Sequence, residues 1–115
     1  MSATIQLPHE TGSGKDREVR VLLADPWRKL VLIQLRRRTL LVDHSARVPI
    51  TIQGVAGKGT LQVGGTAYTL VPGTIVPVDA HAVHNVQGDP DLVILVSFFR
   101  QGDAVDDNET TARFD

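Results

Sequence analysis

One glycine-punctuated stretch, GKGTLQVGGTAYTLVPGTIVPVDAHAVHN at Gly57–Asn85, constrains the fold more than any other part of the chain. Thr60–Gly64 alternates polar and apolar residues, Gly64-Gly65 is a two-residue hairpin turn, and Thr66–Val71 alternates again, which predicts a β-hairpin. Pro72-Gly73 marks a second turn, and Ile75–Val78 and Ala82–Val86 form a further pair of short runs around Asp79-Ala80-His81. A chain broken this often cannot complete a helix. Strands this short and this evenly spaced predict a sandwich or barrel.

The rest of the chain reads the same way. Glu18–Leu23 alternates and is stopped by Ala24-Asp25-Pro26, because proline donates no hydrogen bond and restricts the residue before it. Leu30–Leu35 is nearly continuous aliphatic, and Thr39–Asp43 resumes a strand pattern after Arg36-Arg37-Arg38, a block that reads as a solvated turn or a charged edge. Val48–Val55 is β-branched and alternating, with Ile50 and Ile52 against Thr51 and Gln53. Gly88-Asp89-Pro90-Asp91 is a turn signal, and Leu92–Phe99, the most apolar run, predicts a buried strand with Phe98 and Phe99 on opposite faces. Trp27 is expected to pack into the mouth of the fold. No segment holds helical periodicity over a dozen residues, so the expectation is an all-β domain of about eight strands.

Three regions follow from these patterns. Residues 1–16 read as a loose N-terminal arm, 17–102 as the β-domain, and 103–115, GDAVDDNETTARFD less its first glycine, as a flexible acidic tail. At 115 residues there is room for one core. A net charge of −1 with interspersed signs argues against nucleic acid as a partner. The absence of cysteine removes disulfides, zinc–thiolate sites and thiol nucleophiles. No apolar run approaches the ~20 residues needed to span a bilayer and the N-terminus lacks the pattern of a secretory signal, so the expectation is a soluble cytoplasmic protein without a membrane partner. Nothing resembles a nucleophile elbow, a phosphate loop or a catalytic carboxylate pair.

The chain resembles the cupin superfamily, whose first motif runs glycine, His-X-His, glutamate, glycine and whose second runs glycine, proline, glycine, histidine, asparagine. With the first motif ending on Gly57, His44 takes the first histidine place, while Ala46, Ile50 and Arg38 stand where the second histidine, the glutamate and the opening glycine belong. With the second motif starting on Gly73, His84 takes the histidine place, and Asp79, His81 and Gly88 replace proline, glycine and asparagine. The resemblance implies a single-domain jelly-roll β-barrel, often a homodimer, with a pocket inside. It implies no single reaction, since cupins include dioxygenases, isomerases and sugar-binding regulatory domains.

Full cupin motifs hold a divalent metal with three histidines and a glutamate. Here the glutamates are Glu10, Glu18 and Glu109, none of them inside the motif region, and Ile50 cannot donate. The candidate metal ligands are therefore His44 and His84, with His81 as a third, for a weakly held Zn, Ni, Fe or Mn ion. Asp43 would point away from His44's face, and Asp79 sits in a turn. The candidate ligand pocket comprises His44, Gln53, Tyr68 and His84, and its partner would be a small polar molecule. No residue is assigned a catalytic role. The leading function is small-molecule binding in the barrel; the alternative is a metal-dependent enzyme of dioxygenase or isomerase type, and a third reading is a structural module.

Overall fold

The computed structural model describes residues 4–102, which contain seven β-strands and no helix. The strands are β1 (Arg17–Ala24), β2 (Arg28–Leu35), β3 (Leu40–His44), β4 (Ile50–Val63), β5 (Thr66–Leu70), β6 (Ile75–Val78) and β7 (His84–Phe99). All pairings are antiparallel, and the sheet does not close. The strands number seven because Val48–Val55 and Thr60–Gly64 belong to one strand, β4, and Ala82–Val86 and Leu92–Phe99 to another, β7. The expected turn at Gly88–Asp91 is instead an irregular stretch within β7, where the ladder to β4 slips between Gly57 and Gly59.

These two long strands organise the molecule. The later part of β7 pairs with β2 and with the start of β4, whose other edge carries β6; β1 extends this half beyond β2. The earlier part of β7 pairs with β3 and with the end of β4, whose other edge carries β5. A single core joins the halves: Ile33, Ile50, Ile52, Ile94, Val96 and Phe98 from the first meet Leu41, Leu61, Leu70 and Val86 from the second. The bulge between Gly54 and Ala56 makes this possible. Before it, even-numbered β4 residues such as Ile50 and Ile52 face inward; after it, Leu61 does. One inserted residue reverses the parity of a strand whose side chains alternate.

A smaller cluster, Leu32, Ala56 and Val93, lies on the outer side and is covered by Leu7 of the arm together with Leu22 and Val55. Arg36 anchors that arm. It is 4 % exposed, and its guanidinium donates to the carbonyls of Thr11, Gly12 and Lys15 and pairs with Glu18. The arginine block is thus only partly a solvated turn: Arg37 and Arg38, both at positive φ, are exposed, while Arg36 is buried. Trp27 also departs from expectation, being 67 % exposed in the β1–β2 turn with the backbone of Gly102 against its ring. Phe98 is buried and Phe99 half exposed, as strand alternation requires.

Candidate functional site

His44 ends β3 and His84 begins β7, and the two are direct cross-strand partners. Their inward orientation depends on a local irregularity. Leu41 faces the core opposite Val86, so a regular β3 would turn Asp43 inward and His44 outward; the register shift between Leu41 and His44 puts His44 on the core side instead. Asp43 is left exposed on the other side, where it accepts a hydrogen bond from Asn85 Nδ2 at 2.8 Å.

The two imidazoles meet edge to face, with ring centroids 4.2 Å apart and planes inclined at 63°. They are 4 % and 1 % exposed. His44 Nδ1 lies 2.8 Å from the Val42 carbonyl oxygen and His84 Nδ1 lies 3.0 Å from that of Ala82. A carbonyl can only accept, so each Nδ1 carries a proton that it donates, and Nε2 of each neutral ring is the lone-pair nitrogen. Both Nε2 atoms are shut from solvent, and that of His84 has no hydrogen-bond partner among the described residues. Burial lowers both histidine pKa values from their ordinary range. In His44 the neighbouring His84 adds to the effect while the Val42 carbonyl and Asp43 oppose it; in His84 the Ala82 carbonyl and Asp43 oppose it.

The surroundings are apolar. Ala46 and Ile50, which stand at the motif's donor positions, are buried in the core, and Val48, Val63 and Ala82 pack against it. Register places His44, His84, Val63 and Thr66 in one row across β3, β7, β4 and β5, and Leu41, Val86, Leu61 and Tyr68 in the next. Tyr68 therefore shares the inner side of the sheet with the histidines and is 40 % exposed at its β5 margin. Gln53 follows the outward alternation of β4, between inward Ile52 and Gly54, and the structure does not bring it to the pair. His81 lies in the β6–β7 loop, exposed, with φ at 71° and its backbone N–H donating to the Ala46 carbonyl at 2.6 Å. Asp79 is also exposed. Among the described residues no group of three or more His, Cys, Asp or Glu side chains is placed to hold a metal ion.

As metal ligands the pair fits in chemistry and is short in number. A ligating histidine characteristically donates its second ring nitrogen to a carbonyl, as both do here. Two imidazoles leave most coordination positions to water or another ligand. The carbonyls of Val42 and Ala82, which set the tautomers, left no signal in the sequence because backbone acceptors carry no residue identity. Thr66 shares the row of the pair only because hairpin register sets it opposite Val63.

No family model matches the chain, and no curated protein matches it by sequence. Solved structures do. A cupin superfamily protein from Desulfitobacterium hafniense superposes with a TM-score of 0.72 at 13% identity, over 78% of this chain and 83% of that one. KdgF from Halomonas sp. matches at 0.68 and 19% identity, over 76% and 82%. Salicylate 1,2-dioxygenase from Pseudoaminobacter salicylatoxidans, in adducts with gentisate, matches at 0.69 and 13% identity over 76% of this chain, which spans only 26% of that enzyme. The doubled ladder around β4 and β7, its shared core and these superpositions lead to one conclusion: the chain has the cupin fold, the double-stranded β-helix.

Proposed function

We propose that this protein binds a small polar molecule at His44 and His84 inside the cupin fold. The observation that carries the reading is the buried Nε2 of His84, without a hydrogen-bond partner among the described residues and beside a second inward imidazole. A buried polar atom left unmatched costs about 1–3 kcal/mol, and a ligand group that pairs with it recovers that cost. Tyr68 lies toward the margin of the same inner side, suited to a ligand that extends outward from the pair. Small-molecule binding accords with the fold's presence in a dioxygenase studied with gentisate.

A second reading, a metal-dependent enzyme of dioxygenase or isomerase type, is favoured by the tautomers, since each ring then carries its lone pair on Nε2. A bound Zn, Ni, Fe or Mn ion would supply Lewis acidity. The protein's own part would be to hold the rings through Val42 and Ala82. With His81 exposed in its loop, two protein ligands support weak, exchangeable binding. Elemental analysis of untagged protein and of His84→Ala separates the readings. Substoichiometric metal, with added Zn or Ni bound by the parent and lost in the variant, supports weak ligation beside ligand binding. Full, chelator-resistant occupancy favours the enzyme.

The chain is also proposed to form a homodimer. On the outer side of the β1–β2–β7–β4–β6 half, half-buried Leu30 and Leu95 lie on the same side as Ile75 and Phe99, which are 57 % and 50 % exposed. A second copy would cover this surface.

A further inference from the structure

The same histidine pair carries information about the kind of molecule it receives, a selectivity that rests on its reading as a ligand site. We infer that the pair selects a neutral hydroxyl-bearing molecule over a carboxylate, because the Val42 and Ala82 carbonyls hold both Nδ1 protons and leave each Nε2 as an acceptor. A hydroxyl can donate to such a nitrogen. A carboxylate, having only lone pairs, meets a lone pair and is repelled.

Among the described residues no buried cation faces the pair to receive a carboxylate. The buried polar or charged side chains among the described residues are Arg36, His44 and His84. Arg36 directs its N–H groups to the carbonyls of Thr11, Gly12 and Lys15 and to Glu18. The residues beside the pair, Val63 across from His84 and Ala82 before it, are apolar. An anion drawn in here would lose its hydration with no buried cation in return, a costly form of burial. The charge nearest the pair in sequence, Asp43, is negative and faces the other side.

The ring geometry adds a size limit. The two imidazoles are in edge-to-face contact and both Nε2 atoms are covered, so the group that reaches them must be small as well as a donor. A single hydroxyl on a short apolar stem satisfies both conditions.

The test uses the full chain with ¹⁵N-labelled histidine, dialysed against chelator so that no cation attracts an acid, at a pH of about 7.5, above the reference histidine value. Long-range ¹H–¹⁵N correlation identifies the protonated nitrogen of each ring, with exposed His9 and His81 as internal controls. The expected result is Nδ1–H on both His44 and His84. 1-Propanol and propionate, matched in carbon number, are then titrated in. Propanol is expected to move the Nε2 resonances of the pair at concentrations about tenfold or more below those at which propionate does, with His9 and His81 unmoved. An Nε2–H tautomer on either ring, or propionate acting as strongly as propanol, overturns the selection while leaving the pair as a ligand site. No movement with either probe overturns the ligand-site reading and this inference together.

Discussion

At the scale of single residues, two buried imidazoles stand among core side chains that are otherwise apolar. The His84→Leu variant tests whether they serve stability. Leucine is similar in bulk and removes the unmatched Nε2, so the variant is expected to fold with stability within about 1 kcal/mol of the parent or higher, while losing Zn and Ni binding. A loss above about 2 kcal/mol in urea unfolding would assign His84 a structural role. The pH dependence has a definite sign. Both rings have folded-state pKa values below those of the unfolded chain, so unfolding takes up protons in acid. Stability is therefore full above a pH of about 6.5 and falls below it, by at most about 1.4 kcal/mol per pH unit for each histidine. His84→Leu should flatten that slope, and an unchanged slope between the parent and the variant would contradict the assignment. His44 and His84 were legible as candidates from motif spacing, but the tautomers that define their chemistry were not.

At the scale of elements, irregularities in the strands decide where side chains point. Gly57 sits at φ 72° beside the register slip in β4, and a Cβ there would meet the Asp91 carbonyl and the Thr11 methyl. Gly57→Ala is thus expected to cost on the order of 2–3 kcal/mol, read as a lower urea midpoint with unchanged m-value. A neutral effect would mean that the strand relaxes freely at that point. The arm depends on Arg36 in a comparable way. Arg36→Met keeps the aliphatic stem and removes the donors to Thr11, Gly12 and Lys15, so the variant should lose about 3 kcal/mol. The amides of the arm should also exchange faster with solvent. If stability and exchange stay as in the parent, Leu7 and the other arm contacts hold without the guanidinium.

At the scale of the whole molecule, two expectations concern what lies beyond the single β-domain. The proposed homodimer predicts sedimentation at twice the 12.5 kDa chain mass, and a monomer at micromolar concentration would refute it. Residues 103–115 lie outside the described residues. Their composition, with Val105 and Phe114 as the only large apolar side chains, predicts that deleting them shifts the melting temperature by no more than a few degrees. A larger fall would mean that these two side chains dock.

The sequence alone determined the class and most of the strands, because alternation, glycine turns and proline stops act over a few residues and need no distant partner. Glu18–Leu23, Leu30–Leu35, Thr66–Val71 and Ile75–Val78 all reappear as β1, β2, β5 and β6, shifted by a residue or two. The same local signals misread Gly88–Asp91 as a turn, since the residues on either side of it, up to Gly88 and from Leu92, are both held in the ladder to β4. The parity changes in β3 and β4 likewise belonged to tertiary structure. A bulge inserts one residue relative to a partner strand, and a chain read alone has no partner against which to count. That count faces Leu61 into the core and turns His44 toward His84, while Asp43, adjacent in sequence, is left to the solvent.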